Sequence, residues 1–496
     1  MKRKRKQTTI EVASLPSPTV LAEAYRDLLS AAEYQELLAS LEKTLPPSFR
    51  INPLKTTPDF IPRLADKYGW QLEPIPFCPT GYRVPNAAPS ALSAALEHKL
   101  GMYYIQEAAS MLPVELFSAF DPADLILDMA ASPGGKTTHL VSRSDDRGLI
   151  LANDSSQGRI QSLRFVLQNW GAVNYAVTRF PAERFGEWYP GVFDKILLDA
   201  PCSMQGLRTA ESHPVRPVTS RESSQLSRRQ RAMLTSALHA LRVGGEIVYS
   251  TCTLLPEEDE MVVDAILREF AGVVELTDVQ QSLPRPAPGL LHYQEFDFSA
   301  SLQHAIRLWP HRLDTAGFFA CHIRKTAPLV SPAKPPPFRP LEQVAYHVFS
   351  AREEDAFCSE FIRAFGFDLA ADLSANGRTL VRHYEQVFIF PSMLLERFSG
   401  LPVQAAGMLL GEQNPDGFLP SQAWVSRYGA QCTRAVMTLD EESSSAWLAG
   451  ENLDLPGAKL PEDPRYIIIL DHTGVPLGRA LRTPSGLKNL LRKKVI

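Results

Sequence analysis

From Val20 to Leu41 apolar residues recur at helical spacing. PSFRINPLK then reads as a strand, TPDFIPRLADKYGW as a helix and QLEPIPFCPTGYRV as extended chain. These predict a small α/β unit over residues 20–100. From about Leu125 the pattern changes: short apolar runs, LILDMAAS, GLILAND, NYAVTRF, FDKILLDAPC and GEIVYSTCT, alternate with stretches of helical period. A parallel neighbour strand is reached only through a crossover, so this alternation predicts βαβ units and a doubly wound α/β sheet within residues 101–325. GFFACHIRK reads as its last strand, closing an edge.

Residues 326–340, TAPLVSPAKPPPFRP, hold too much proline for a helix or a central strand, which predicts an extended spacer. Beyond it, 341–496 mixes short strands and turns, as in YIIILDHTGVPLGRAL, and reads as a separate β-rich module. At the other end, residues 1–19 open with MKRKRKQTT and read as a disordered basic tail.

Composition narrows the class. Over 496 residues, 45% hydrophobic and 21% charged residues suit a soluble, cytoplasmic chain with several cores, read as a monomer. The basic start is followed by no apolar stretch of signal-peptide type, and no run is long enough to cross a membrane. A net charge of −4 gives no global sign of a polyanion partner. It conceals a local one: GRALRTPSGLKNLLRKKVI carries Arg479, Arg482, Lys488, Arg492, Lys493 and Lys494 and no acid, a candidate RNA-binding surface. The six cysteines are scattered without metal-ligand spacing, so no metal is expected.

The candidate chemistry lies at strand ends. LILDMAASPGGKTTHL is a strand, a turn of small residues and a helix start. Gly134 and Gly135 permit close approach of backbone to a ligand. The next strand ends in Asp154, where such folds place an acid for ribose hydroxyls, so a nucleoside-bearing cofactor is expected. Two further strands end in LLDAPCS and STCTLLPEEDE, each putting a cysteine, Cys202 or Cys252, where the cleft should be. Cys252, Asp199 and Cys202 could supply a nucleophile, an acid and a group that assists release. A helix starting near Pro256 would favour a thiolate, whereas Glu257, Glu258 and Asp259 would oppose it.

In order along the chain, FRINPLK, YIQEAASMLP, LDMAASPGGKTTHL, LLDAPCS and STCTLLPEEDE resemble the Sun/Nop family of RNA cytosine-5 methyltransferases, over about residues 20–325. The resemblance implies a Rossmann-like S-adenosylmethionine domain at 101–325 and an RRM-like unit at 20–100. It implies a covalent reaction in which Cys252 is the nucleophile and Cys202 assists release of the product. Ala130, Ala131, Ser132, Pro133, Gly134, Gly135, Lys136, Asp154 and Asp199 would line the cofactor site. Arg50, Asn52 and Lys55 match the family's FRxNxLK strand, with a substrate-side or structural role. The end of the chain resembles the PUA-like tail of the small-subunit rRNA branch, which favours ribosomal RNA over transfer RNA or a non-catalytic assembly scaffold.

Two positions depart from the family pattern. Pro181 stands where an Asp contacts the adenine, leaving Glu183 or a backbone group to serve. Met204 replaces a glycine of PCSGxG; a left-handed backbone there would be strained, and a modest change of loop shape is expected instead.

Overall fold

The computed structural model describes residues 22–207, 218–415, 417–454 and 465–491. The basic tail at 1–19 and the cations Arg492, Lys493 and Lys494 lie outside them.

The N-terminal unit is a four-stranded antiparallel sheet in the order Glu73–Ile75, Cys78–Arg83, Ser48–Ile51, Tyr103–Ile105. Its last strand lies beyond the expected boundary at residue 100, because pairing rather than local pattern decides membership. The helices before it do not cover this sheet. Tyr25, Tyr34 and Leu37 pack instead with Leu207, Leu254 and Trp309 of the catalytic domain.

The catalytic domain contains β1 (Leu125–Asp128), α1 (Gly135–Arg143), β2 (Leu149–Asn153), α2 (Gln157–Trp170), β3 (Tyr175–Thr178), β4 (Phe193–Asp199), α3 (Ser220–Ala240), β5 (Leu241–Thr251), α4 (Glu260–Glu269), β6 (Val274–Thr277) and β7 (Phe318–Lys325). The sheet order is β6-β7-β5-β4-β1-β2-β3. Strands β1 to β5 are parallel, and β7 and β6 run antiparallel to their neighbours. Every residue of β1, β2 and β3 is buried, which is why these strands read as unbroken apolar runs. β7 does not close an edge as expected. It is fully apolar on both faces at FFAC and sits inside, while β6, alternating buried and exposed, takes the edge.

Arg50, Asn52 and Lys55 act as struts. Arg50, fully buried, donates from Nη2 to the Gly135 carbonyl at 3.0 Å and to Thr138 Oγ1 at 2.7 Å, with its guanidinium over Trp170. Asn52 Nδ2 donates to the carbonyls of Gly101 and Trp170, both at 2.8 Å. Lys55 Nζ donates to the carbonyls of Leu100 and Asn169 and to Ser426 Oγ; burial, with Arg427 nearby, pulls it down to about 7. The FRINPLK strand thus braces α1 and α2 from behind.

The C-terminal lobe holds two five-stranded sheets with helices between them. The first runs Tyr346–Val348, Arg378–His383, Gln386–Pro391, Met408–Asn414, Gly417–Pro420. The second runs Val436–Thr438, Tyr466–Leu470, Pro476–Thr483, Gly486–Asn489, Leu453–Asp454. It is not the separate module expected from the proline segment. Ala405–Ala406 pairs with Val177 and Ala176, adding a strand to the β3 edge, and Phe390, Leu394, Phe398 and Leu401 join the catalytic core. Asp146, fully buried, accepts the N–H groups of Val173 and Asn174 and pairs with Arg378 at 2.9 Å and with Arg427. The proline segment has no helix or strand, yet it is strapped down: the Lys334 N–H donates to Glu187 O and that of Arg339 to Gly400 O. No helix among the described residues is long and apolar enough to cross a membrane.

Candidate active site

The carboxyl ends of β1, β2 and β3 are tied by Asn153. Its Nδ2 donates to the carbonyls of Met129 and Phe180, and its Oδ1 accepts from Thr178 Oγ1 and the Phe180 N–H. The turn at 129–134 therefore has a fixed floor. Gly134 caps α1 with φ 118°, and a Cβ there would come within 3.0 Å of Val166 Cγ1, so both backbone and space require glycine. Beneath the turn Asp128 is buried and receives Thr137 Oγ1 at 2.7 Å. Burial, with Asp199 nearby, pushes it up to about 7.

Asp154 caps β2. Its Oδ1 accepts the Ser156 N–H at 2.8 Å, while Oδ2 is buried and accepts no hydrogen bond, with Arg159 Nη1 at 3.5 Å. An unused buried carboxylate oxygen beside a small-residue turn fits the ribose hydroxyls of a nucleoside cofactor. Arg159 also donates to the Ser132 carbonyl, bridging the two walls of this site. After β3, Pro181 offers no side-chain polar group for an adenine. Glu183 accepts Arg229 Nε at 3.0 Å.

Across the sheet, β4 and β5 lie side by side and parallel, so their ends meet. Cys202 Sγ stands 3.0 Å from Cys252 Sγ. Asp199 accepts Lys136 Nζ at Oδ2 and Ser250 Oγ at Oδ1, both at 2.8 Å. Burial would lower Lys136, but Asp199, with Cys252 and Asp128 behind it, outweighs this and holds the ammonium above its ordinary range. The hydrogen bond to Cys252, followed by burial, pushes Cys202 well above the ordinary thiol range. The two sulfurs thus share one contact beside the Lys136 charge, with Cys202 held as a thiol.

The acidic run after Cys252 has a different role from the one its charge suggests. Helix α4 begins at Glu260, not near Pro256, and Glu258, Asp259 and Glu260 are all fully buried. Glu258 Oε2 accepts the Ser203 N–H at 3.0 Å and Gln230 Nε2 at 2.9 Å, and Gln230 Nε2 also reaches the Pro201 carbonyl. Asp259 accepts Thr251 Oγ1 at 2.6 Å, and Glu260 pairs with Arg307 at 2.6 Å. Tyr25 donates to the Gln205 carbonyl at 3.0 Å, and the Gly317 N–H to that of Gly206 at 2.7 Å. These groups lock the two cysteine loops together, and sequence reading missed all of them. The only local signal was four acids following a strand end.

Met204 differs from expectation: its backbone is left-handed, with φ 58°, so the loop keeps the glycine-like shape. Among the C-terminal cations, Arg479 donates to the Pro420 carbonyl and so serves packing, while Lys488 is exposed. Among the described residues, Cys78, Glu115 and His139 bring ligand-type atoms within 4.8 Å, a grouping that their spacing along the chain does not suggest. Glu115 already accepts His139 Nε2 at 2.9 Å and pairs with Arg143 at 3.3 Å, so a cation stands on that carboxylate.

This architecture has close parallels among known proteins. The family model of 16S rRNA methyltransferase RsmB/F matches residues 117–324, and that of the N-terminal domain of 16S rRNA methyltransferase RsmF matches residues 18–108. The ribosomal RNA small subunit methyltransferase F of Pectobacterium atrosepticum is 31% identical over 98% of this chain and 96% of its own. That of Klebsiella pneumoniae is 32% identical over 96% and 95%. A crystal structure of a methyltransferase homolog from Pyrococcus horikoshii is 32% identical, with a TM-score of 0.52 over 62% of this chain and 100% of that one. NSun6 from Pyrococcus horikoshii with SFG, 24% identical, shares the fold at a TM-score of 0.53, over 62% of this chain and 98% of that one. The chain belongs to the RsmB/F family of 16S rRNA methyltransferases, beside the small-subunit methyltransferase F proteins.

Proposed function

We propose that the protein methylates carbon 5 of a cytosine in small-subunit ribosomal RNA, through a covalent Cys252 adduct at carbon 6. The observation that carries this reading is the pair of thiols 3.0 Å apart at the ends of β4 and β5, beside the Asp199–Lys136 pair. S-adenosylmethionine, when bound, supplies an electrophilic methyl group. The turn Ala130–Lys136, the Asp154 oxygen that accepts no hydrogen bond, and Asp199 would hold it.

Carbon 5 of cytosine is not nucleophilic by itself. The Cys252 thiolate adds to carbon 6, and the Lys136 ammonium on Asp199 offsets the negative charge that develops on the ring nitrogen. Carbon 5 then accepts the methyl group, the bond from carbon 6 to sulfur breaks, and the proton at carbon 5 passes to the Cys202 sulfur as that thiol gives its own proton to the departing Cys252. Cys202 is assigned to this last step: its sulfur lies 3.0 Å from the one that must depart, within reach to protonate the leaving thiolate. The exposed Lys488, with Arg482 and the tail beyond residue 491, would hold RNA phosphates on a PUA-like surface of the C-terminal lobe.

Bisulfite sequencing of total RNA from cells with and without the gene tests the reaction. One cytosine in small-subunit RNA should lose its protection; a change confined to transfer RNA would reject the substrate. In vitro, Cys252→Ala should abolish methyl incorporation, and transfer near the normal rate would reject the nucleophile. Cys202→Ala should leave RNA attached to the protein on a denaturing gel.

A further inference from the structure

In loop 201–207 the backbone of Met204 and its side chain raise separate questions. Its φ of 58° lies in the left-handed region, which a residue with a Cβ enters at a cost. In this conformation the Met204 N–H acts on the Cys202 sulfur, lowering its affinity for a proton. The surroundings hold the strain: Glu258 on the Ser203 N–H, Tyr25 on the Gln205 carbonyl and Gly317 on the Gly206 carbonyl clamp the loop on both sides of Met204. Glycine would do the same backbone task without cost. What needs explaining is the side chain.

Ser203, Gln205 and Leu207 are buried, whereas Met204 is 43% exposed. A lone exposed apolar residue is ordinary on a protein surface. This one stands two residues from Cys202, in the loop that carries that thiol, on a backbone that disfavours any side chain. A cytosine that is to be attacked at carbon 6 must leave its stack, and unstacked bases are received on apolar or aromatic faces. A thioether is polarisable, packs favourably on π systems and adapts its shape. We propose that Met204 contacts the substrate, its side chain packing against the face of an unstacked nucleobase at the mouth of the thiol site. This rests on the base-methylation reading above.

The test uses the full chain, methyl-labelled S-adenosylmethionine and small-subunit rRNA extracted from cells lacking the gene. Met204→Gly relieves the backbone and removes the side chain. Met204→Asn keeps a left-handed residue but makes it polar. Met204→Leu keeps an apolar group. The Gly and Asn variants should raise KM for RNA by roughly three- to tenfold, with kcat and cofactor affinity nearly unchanged and a melting temperature no lower for Gly. Met204→Leu should stay within about twofold of the unaltered enzyme. Unchanged KM in both Gly and Asn would overturn the proposal. So would a fall confined to kcat, which would mark the loop's shape, and not a base contact, as the role of the position. No transfer by the unaltered enzyme would remove the reaction reading, and this proposal with it.

Discussion

Two buried charge clusters hold this molecule together, and they are built in opposite ways. Behind the thiols, Asp259 and Glu260 share one cation, Arg307, with Glu258 beside them. At the seam with the C-terminal lobe, one acid, Asp146, has two cations, Arg378 and Arg427, and two backbone N–H groups. The first cluster has more acid than base. Burial accordingly pushes Asp259 well above the carboxylate range, Arg307 only partly countering it, and Glu258 is raised as well. The second is fully compensated. One cluster positions loops and leaves its acids short of cations; the other is a latch between lobes.

The two largest expected effects both break the latch. Arg378→Met should cost about 3–5 kcal/mol in urea unfolding, because a buried carboxylate loses its best-buried partner. Arg427 still stands against Asp146, so the loss should be alike at about pH 5.5 and about pH 8. A chain ended at Pro340 should fare worse, failing to give a soluble, cofactor-binding protein, since it also strips Ala405–Ala406 from β3.

Arg307→Met sharpens the contrast. It leaves Glu260 and Asp259 buried without a cation, and Asp259, already raised by burial, loses the charge that counters the rise. A raised folded pKa means that stability is lost as pH climbs from the unfolded value of about 4 towards the folded one. The variant should therefore lose about 3–5 kcal/mol at about pH 8 and clearly less at about pH 5.5. An equal loss at both would erase the distinction between the clusters.

The smallest effect concerns Asp128, which burial raises to about 7. The folded state holds this proton after the unfolded chain has released it, so the group erodes stability between about pH 4 and about pH 7. Asp128→Asn should flatten the fall of the melting temperature over that range. A slope identical to that of the unaltered protein would reject the shift.

Much of the catalytic domain was legible along the chain because it is made of local signals. β1 to β5 are short apolar runs, and the turn after β1 and the cysteines after β4 and β5 follow directly from them. The errors fell where partners lie far apart in sequence. The acids after Cys252 read only as charges that would oppose a thiolate, yet Glu258 and Glu260 are bonded to Ser203 and Arg307. The proline segment read as a spacer between independent domains because its composition carries no trace of the strand donated at Ala405 or of the Arg378–Asp146 pair.

The sequence by itself determined the strand and helix order, the small-residue turn, the acid at Asp154 and the two cysteines at strand ends, since each depends on period and neighbouring residues. Only the tertiary structure decided that Cys202 and Cys252 stand 3.0 Å apart, that the Cys202 thiol is raised by its neighbour and by burial, and that the C-terminal lobe is built into the catalytic sheet. Those outcomes depend on which groups burial forces to share a proton, a cation or a strand edge. That is settled when chain segments meet, and no local pattern records it.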